Sequence, residues 1–179
     1  MIKKLLHTTV GARVGMGLGL SGFNQVTVEH IKAGETSGQK STVYNARTDK
    51  GAAALASLMT GASQSGITSP LPPLYLALST TTLTPAKTDT TLTGETSVAG
   101  LARVLGTVGS YTAPTTLDGV ASYSITYSFV LTGSGPVTVN SVGLFDAISG
   151  GNLQYESNVG APPVMNTGDT FALTWTINL

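Results

Sequence analysis

The chain has 179 residues, zero net charge, no cysteine and only 10% charged residues, against roughly a quarter in ordinary soluble domains. The length suits one domain with a real core, and the apolar content with so little charge argues against disorder. The missing cysteines exclude disulfides, zinc–thiolate sites and thiol nucleophiles, and Ser and Thr fill the polar positions, as suits surfaces that meet other proteins.

Residues 1–45 read as an extended, Gly-rich, basic arm. Met1–Leu6 opens like a secretory signal, but His7 and Arg13 interrupt the apolar run and no small-residue cleavage site follows, so no signal is expected. No segment is long enough to span a membrane as a helix. Glycine is too frequent between Gly11 and Gly22 for a stable helix, and one short strand is expected at Gln25–Val28. Up to residue 50, seven bases face three acids, a net of +4; the rest carries two bases and six acids, a net of −4. Lys3, Lys4, Arg13, Lys32, Lys40 and Arg47 are therefore the candidate partner-binding residues, able to dock on an acidic surface of a neighbour. They are too dispersed to form a nucleic-acid patch.

Residues 46–179 read as the folded body. A helix is expected over 48–60, with Thr48 as N-cap, Asp49 in the first turn, Leu55, Leu58 and Met59 on one face, and Gly61 as the stop. Leu74–Leu78 is an apolar run short enough for a buried strand. A Thr-rich connection follows from Ser79 to Thr96, then a strand over Leu101–Val108. Asp118-Gly119 turns the chain into Tyr123–Leu131, where Tyr123, Ile125, Tyr127, Phe129 and Leu131 alternate with small or polar residues. Val137, Val139 and Val142–Phe145 supply the next strands, and Gly150-Gly151 turns into Leu153 and Tyr155. After the Asn166–Asp169 turn the alternation returns at Phe171, Leu173, Trp175, Ile177 and Leu179. The fold class expected is mainly β: an antiparallel sandwich, jelly-roll-like or Ig-like, with one short helix and an N-terminal arm.

Little in the chain points to chemistry. Gly17–Gly22 matches G-x-G-x-x-G, but β-like residues follow it and no βαβ unit surrounds it, so no dinucleotide or other cofactor is expected. His7 and His30 both fall in the arm, a poor platform for a triad. Asp118, Asp146, Glu156 and Asp169 lie near turns and are turn formers before they are calcium ligands. Trp175 and most tyrosines fall on faces expected to be buried, which leaves no aromatic platform for sugars. No enzymatic activity is expected.

Three stretches carry a resemblance. They are Tyr75-Leu76-Ala77-Leu78-Ser79-Thr80 with the Thr84–Glu95 loop, Gly100-Leu101-Ala102-Arg103, and Val142-Gly143-Leu144-Phe145-Asp146-Ala147-Ile148-Ser149-Gly150-Gly151-Asn152-Leu153. Together they resemble a module common in tailed-bacteriophage virion proteins, over roughly residues 45–179. The resemblance implies a virion structural protein, assembled in the host cytoplasm, with major capsid protein or other virion proteins as partners and a homo-oligomer, a trimer by analogy. Capsid decoration is the expectation drawn first, because a 45-residue arm at roughly 3.3 Å per residue spans more than about 100 Å and reaches a neighbouring subunit. A tail, collar or fibre-base component is the alternative, and a carbohydrate-binding sandwich a further one.

Overall fold

The computed structural model describes residues 25–44, 46–60, 73–113 and 121–178. Its elements in chain order are β1 (Gln25–Ile31), β2 (Gln39–Tyr44), β3 (Ala46–Arg47), α1 (Asp49–Thr60), β4 (Tyr75–Ser79), β5 (Val104–Leu105) and β6 (Thr107–Val108). They continue with β7 (Ser122–Val130), β8 (Val137–Thr138), β9 (Ser141–Phe145), β10 (Leu153–Asn158), β11 (Val164–Met165) and β12 (Thr170–Asn178). One five-stranded sheet has the order β2-β1-β12-β7-β6, the other β3-β10-β9-β4-β5, and β11-β8 form a small ladder. All pairings are antiparallel. The two larger sheets enclose one core, as expected of a β-sandwich: Val26, Ile125, Phe129 and Trp175 from the first meet Leu76, Leu78, Leu144 and Tyr155 from the second.

The two sheets are buried differently, and the sequence shows why. Along β12 every second residue is buried, with Trp175 and Phe171 inaccessible. The intervening Thr174 and Thr176 face outward, so this sheet has one apolar face and one polar face. Thr42, Thr27, Thr174, Thr126 and Thr107 stand side by side across all five strands of that outer face. By contrast β9 is buried at all five positions and β10 at five of six. Its outer face carries Ala77, Phe145 and Leu153, and Leu92 from the Thr-rich loop lies over them with Tyr75 and Leu83. The loop that follows β4 is therefore the cover of the second sheet.

A β-bulge between Leu153 and Tyr155 fixes what β10 presents to each side. Without the extra residue, Leu153 and Tyr155 would share a face. With it, Leu153 packs under the loop while Tyr155 enters the main core, 6.3 Å from the Trp175 ring. The next residue, Glu156, is then directed back toward the loop.

Some expectations change. Residues 25–44, read as part of the arm, form a hairpin on the edge of the first sheet. β1 pairs with β12 over seven residues and contributes buried Val26 and Val28. Short alternation of Val26, Val28 and Val43 was enough to complete the core, so the expected strand at Gln25–Val28 is longer. Residues 1–24, including Gly17–Gly22, lie outside the described residues, as does Asp118-Gly119. The helix begins as expected: Thr48 Oγ1 accepts the Gly51 N–H at 3.1 Å. The strand expected over Leu101–Val108 is split. β5 pairs with β4 in one sheet and β6 with β7 in the other, with Gly106 at the crossing. A Cβ on Gly106 would stand 2.4 Å from Ile125 Cγ2 and 3.1 Å from Leu76 Cδ1.

Gly106→Ala is therefore an overpacking change, expected to cost about 1–3 kcal/mol. A lowered denaturant midpoint at unchanged slope checks it; an unchanged midpoint would show that the crossing has room.

Candidate functional site

The residues that carry the resemblance converge on one side chain. Arg103 donates from Nε to Glu95 Oε1 at 2.9 Å and from Nη2 to Oε2 at 2.6 Å, a bidentate pair. Its Nη1 donates to the carbonyls of Ala147 at 3.0 Å and Gly150 at 2.7 Å. The guanidinium also lies 3.4 Å above the centre of the Phe145 ring. Four of its five N–H groups (the side chain's full donor set) are thus engaged within the chain. The β9–β10 turn is built to meet it. Gly150 and Gly151 have φ of 60° and 72°, and a Cβ on Gly151 would sit 2.5 Å from Asp146 Oδ1. Asp146 closes the turn by accepting from Asn152 N at 2.7 Å and Nδ2 at 2.6 Å. These residues fasten loop, turn and sheet together.

A second group of side chains lies where the loop crosses β10. Glu156, only 1% exposed, accepts the Ala86 N–H at 3.2 Å, and Asp89 accepts the same N–H at 2.9 Å. Burial first, then the hydrogen bond and charge of Asp89, push the Glu156 carboxyl up to about 7, against the pull of the Ala86 N–H. Two hollows flank it. One, of about 380 Å³, is lined by Val43, Tyr44, Pro85, Glu156 and Asn158; the other, of about 170 Å³, by Thr81, Thr84, Asp89, Thr93 and Glu156. Asn158 bonds Leu83 in both directions, at 2.8 and 3.0 Å.

The third group ties the hairpin down. Asp169 accepts from Asn166 N at 2.8 Å, Ala33 N at 2.9 Å and His30 Nε2 at 3.2 Å. The Asn166 N–H above all, then Ala33 and His30, hold its carboxyl below the ordinary aspartate value despite burial. That bonding adds stability above the unfolded aspartate's titration, and acid removes it by protonating the carboxyl. His30 is thus a held residue on a strand, not a solvated one in an arm.

Of the candidate partner-binding residues, Lys3, Lys4 and Arg13 lie outside the described residues. Lys32 is exposed beyond the end of β1, and Arg47 is exposed on β3. Lys40, on β2, is 67% exposed and stands 3.6 Å from Glu29. Of the acids, Asp89, Glu95, Asp146, Glu156 and Asp169 each accept hydrogen bonds within the chain. Among the described residues no group of three or more His, Asp or Glu is placed to hold a metal ion, and no helix is long and apolar enough to cross a membrane. The expected burial of most tyrosines is corrected: Tyr44, Tyr111 and Tyr127 are exposed, and only Tyr155 is fully buried. Tyr127 keeps its place in the alternation, but β6 covers β7 only at Ile125 and Thr126.

Residues 46–176 match a family model described as Podophage GP4 fiber I protein gp80. The matched segment contains the Arg103 cluster and the Asp89–Glu156 pair but not the β1–β2 hairpin. No curated protein and no solved structure matches the chain.

Arg103→Lys keeps the charge but loses the fork and the stacked plane. It is expected to lower stability by about 1–3 kcal/mol, read by chemical denaturation. Stability equal to that of the parent would mean the cluster adds nothing beyond a positive charge.

Proposed function

The chain belongs to the podophage GP4 fiber I protein gp80 family, and on that premise we propose that it is a structural part of the fibre apparatus of a tailed-phage virion. Its partners are other virion proteins and further copies of itself. The family match over most of the folded body carries this reading. The side chains support it: the acids and the arginine that could have formed a reactive site are tied to backbone and to one another. The outer face of the first sheet adds a broad Ser/Thr surface that carries the Glu29–Lys40 pair near one edge, and its Ser/Thr part loses little on desolvation.

Capsid decoration fits less well. It relied on a long basic arm reaching an acidic neighbour, yet residues 25–44 of that arm are part of the sandwich. Quantitative mass spectrometry of purified particles, with antibody labelling of the same particles, separates the two. A copy number like that of tail-ring proteins, with label at the tail, is expected. Label spread over the heads at lattice-like copy number would overturn the proposal.

A further inference from the structure

We propose that Asp89 and Glu156 form a one-proton latch that holds the tip of the Thr-rich loop on β10 and releases it when the shared proton leaves. The geometry is that of a pair which cannot be charged twice at low cost. Both carboxyls converge on the single N–H of Ala86, and Glu156 is buried between two hollows. Neither hollow is lined by a lysine or arginine. The neighbours of Glu156 across its own sheet are Gly143 on β9 and Ala46 on β3, neither of which titrates. Tyr44, from β2, lines the larger hollow. From α1, the Asp49 N–H reaches the loop at the Lys87 carbonyl, 2.6 Å away; the charged side chains of Arg47 on β3, Asp49 and Lys50 on α1, and Lys87 on the loop line neither hollow. The charged group that lines a hollow with Glu156 and shares its donor is Asp89.

With one proton shared, a carboxyl can donate to a carboxylate while both accept from Ala86. With none, two anions face each other over a single donor. The strand cannot yield, because β10 is paired on both sides and anchored by Leu153 and Tyr155. The loop tip can, since beyond this pair its ties to the rest of the described fold are few: Leu83 to Asn158 and Lys87 to Asp49. Release would join the two hollows that Glu156 now separates.

The sign follows from the carboxyl being raised from 4.5 to about 7. The latch is fully closed below the unfolded value and opens as pH rises through the folded one. Hydrogen exchange of the full chain, corrected for intrinsic rates and followed on both sides of pH 7, reads it directly. Protection at Ala86 and its neighbours is expected to fall about tenfold per pH unit between 4.5 and about 7 and to level off above that, while β12 amides keep theirs. Glu156→Gln and Asp89→Asn each allow an amide to donate across the pair, and each is expected to keep the tip protected throughout. Should the buried substitution fail to fold, Asp89→Asn on the more accessible partner decides alone. A tip that tracks β12 at every pH in the parent, or a variant that keeps the parent's pH profile, would overturn the latch.

Discussion

Burial of both faces of the β3-β10-β9-β4-β5 sheet is the constraint from which the other features follow. A sheet with Leu76, Leu78, Leu144 and Tyr155 on one side and Ala77, Phe145 and Leu153 on the other needs two covers. The first sheet is one, through its alternating strands. The other is an irregular loop, whose backbone donors and acceptors must all be answered without a ladder. The bonds that answer them are the ones found: Ser79 Oγ to the Thr93 carbonyl, Ser141 Oγ to the Thr81 carbonyl, Asn158 to both backbone groups of Leu83, and the Asp89–Glu156 pair to Ala86. Arg103 closes the far end by fixing Glu95 to the β9–β10 turn. The polar side chains of this half of the molecule are in effect the second hydrogen-bonding system of a sheet that lacks a third layer.

That division explains what could be read in the sequence. Strands with one solvated face announce themselves by alternation, and β7 and β12 were legible almost to the residue. Runs such as Leu76–Leu78 and Val142–Phe145 were legible as buried but not as to what covers them, because a loop carries no periodicity. The bulge at Gln154 left no signal, yet it decides that Glu156 faces the loop and Tyr155 the core. Gly106 was readable only as a flexible residue inside a strand, whereas the structure uses its lack of a side chain where the chain leaves one sheet for the other. The hairpin 25–44 was hidden by its setting: a weak apolar rhythm beside a Gly-rich stretch and a surplus of lysine. The motif residues Glu95, Arg103, Phe145 and Gly150 were noticed together by resemblance. Their contact spans eight to forty-seven positions and could not be derived from spacing.

The charge segregation in the sequence had invited an intermolecular explanation. In three dimensions Asp89, Glu95, Asp146, Glu156 and Asp169 each serve bonds within the chain. Low charge and a Ser/Thr outer face are in keeping with the virion structural role of the chain's family.

One boundary has a further consequence. The family match begins at Ala46, just after the hairpin, and runs through Thr176 near the end of β12. In this chain β1 occupies the open side of β12 along seven residues. A protein made of the matched segment alone would present that side as a vacant socket, with backbone groups unanswered and Trp175 and Leu173 uncovered. In this chain the upstream hairpin supplies the strand that closes it, so the lid of the first sheet's edge is built from residues outside the matched segment.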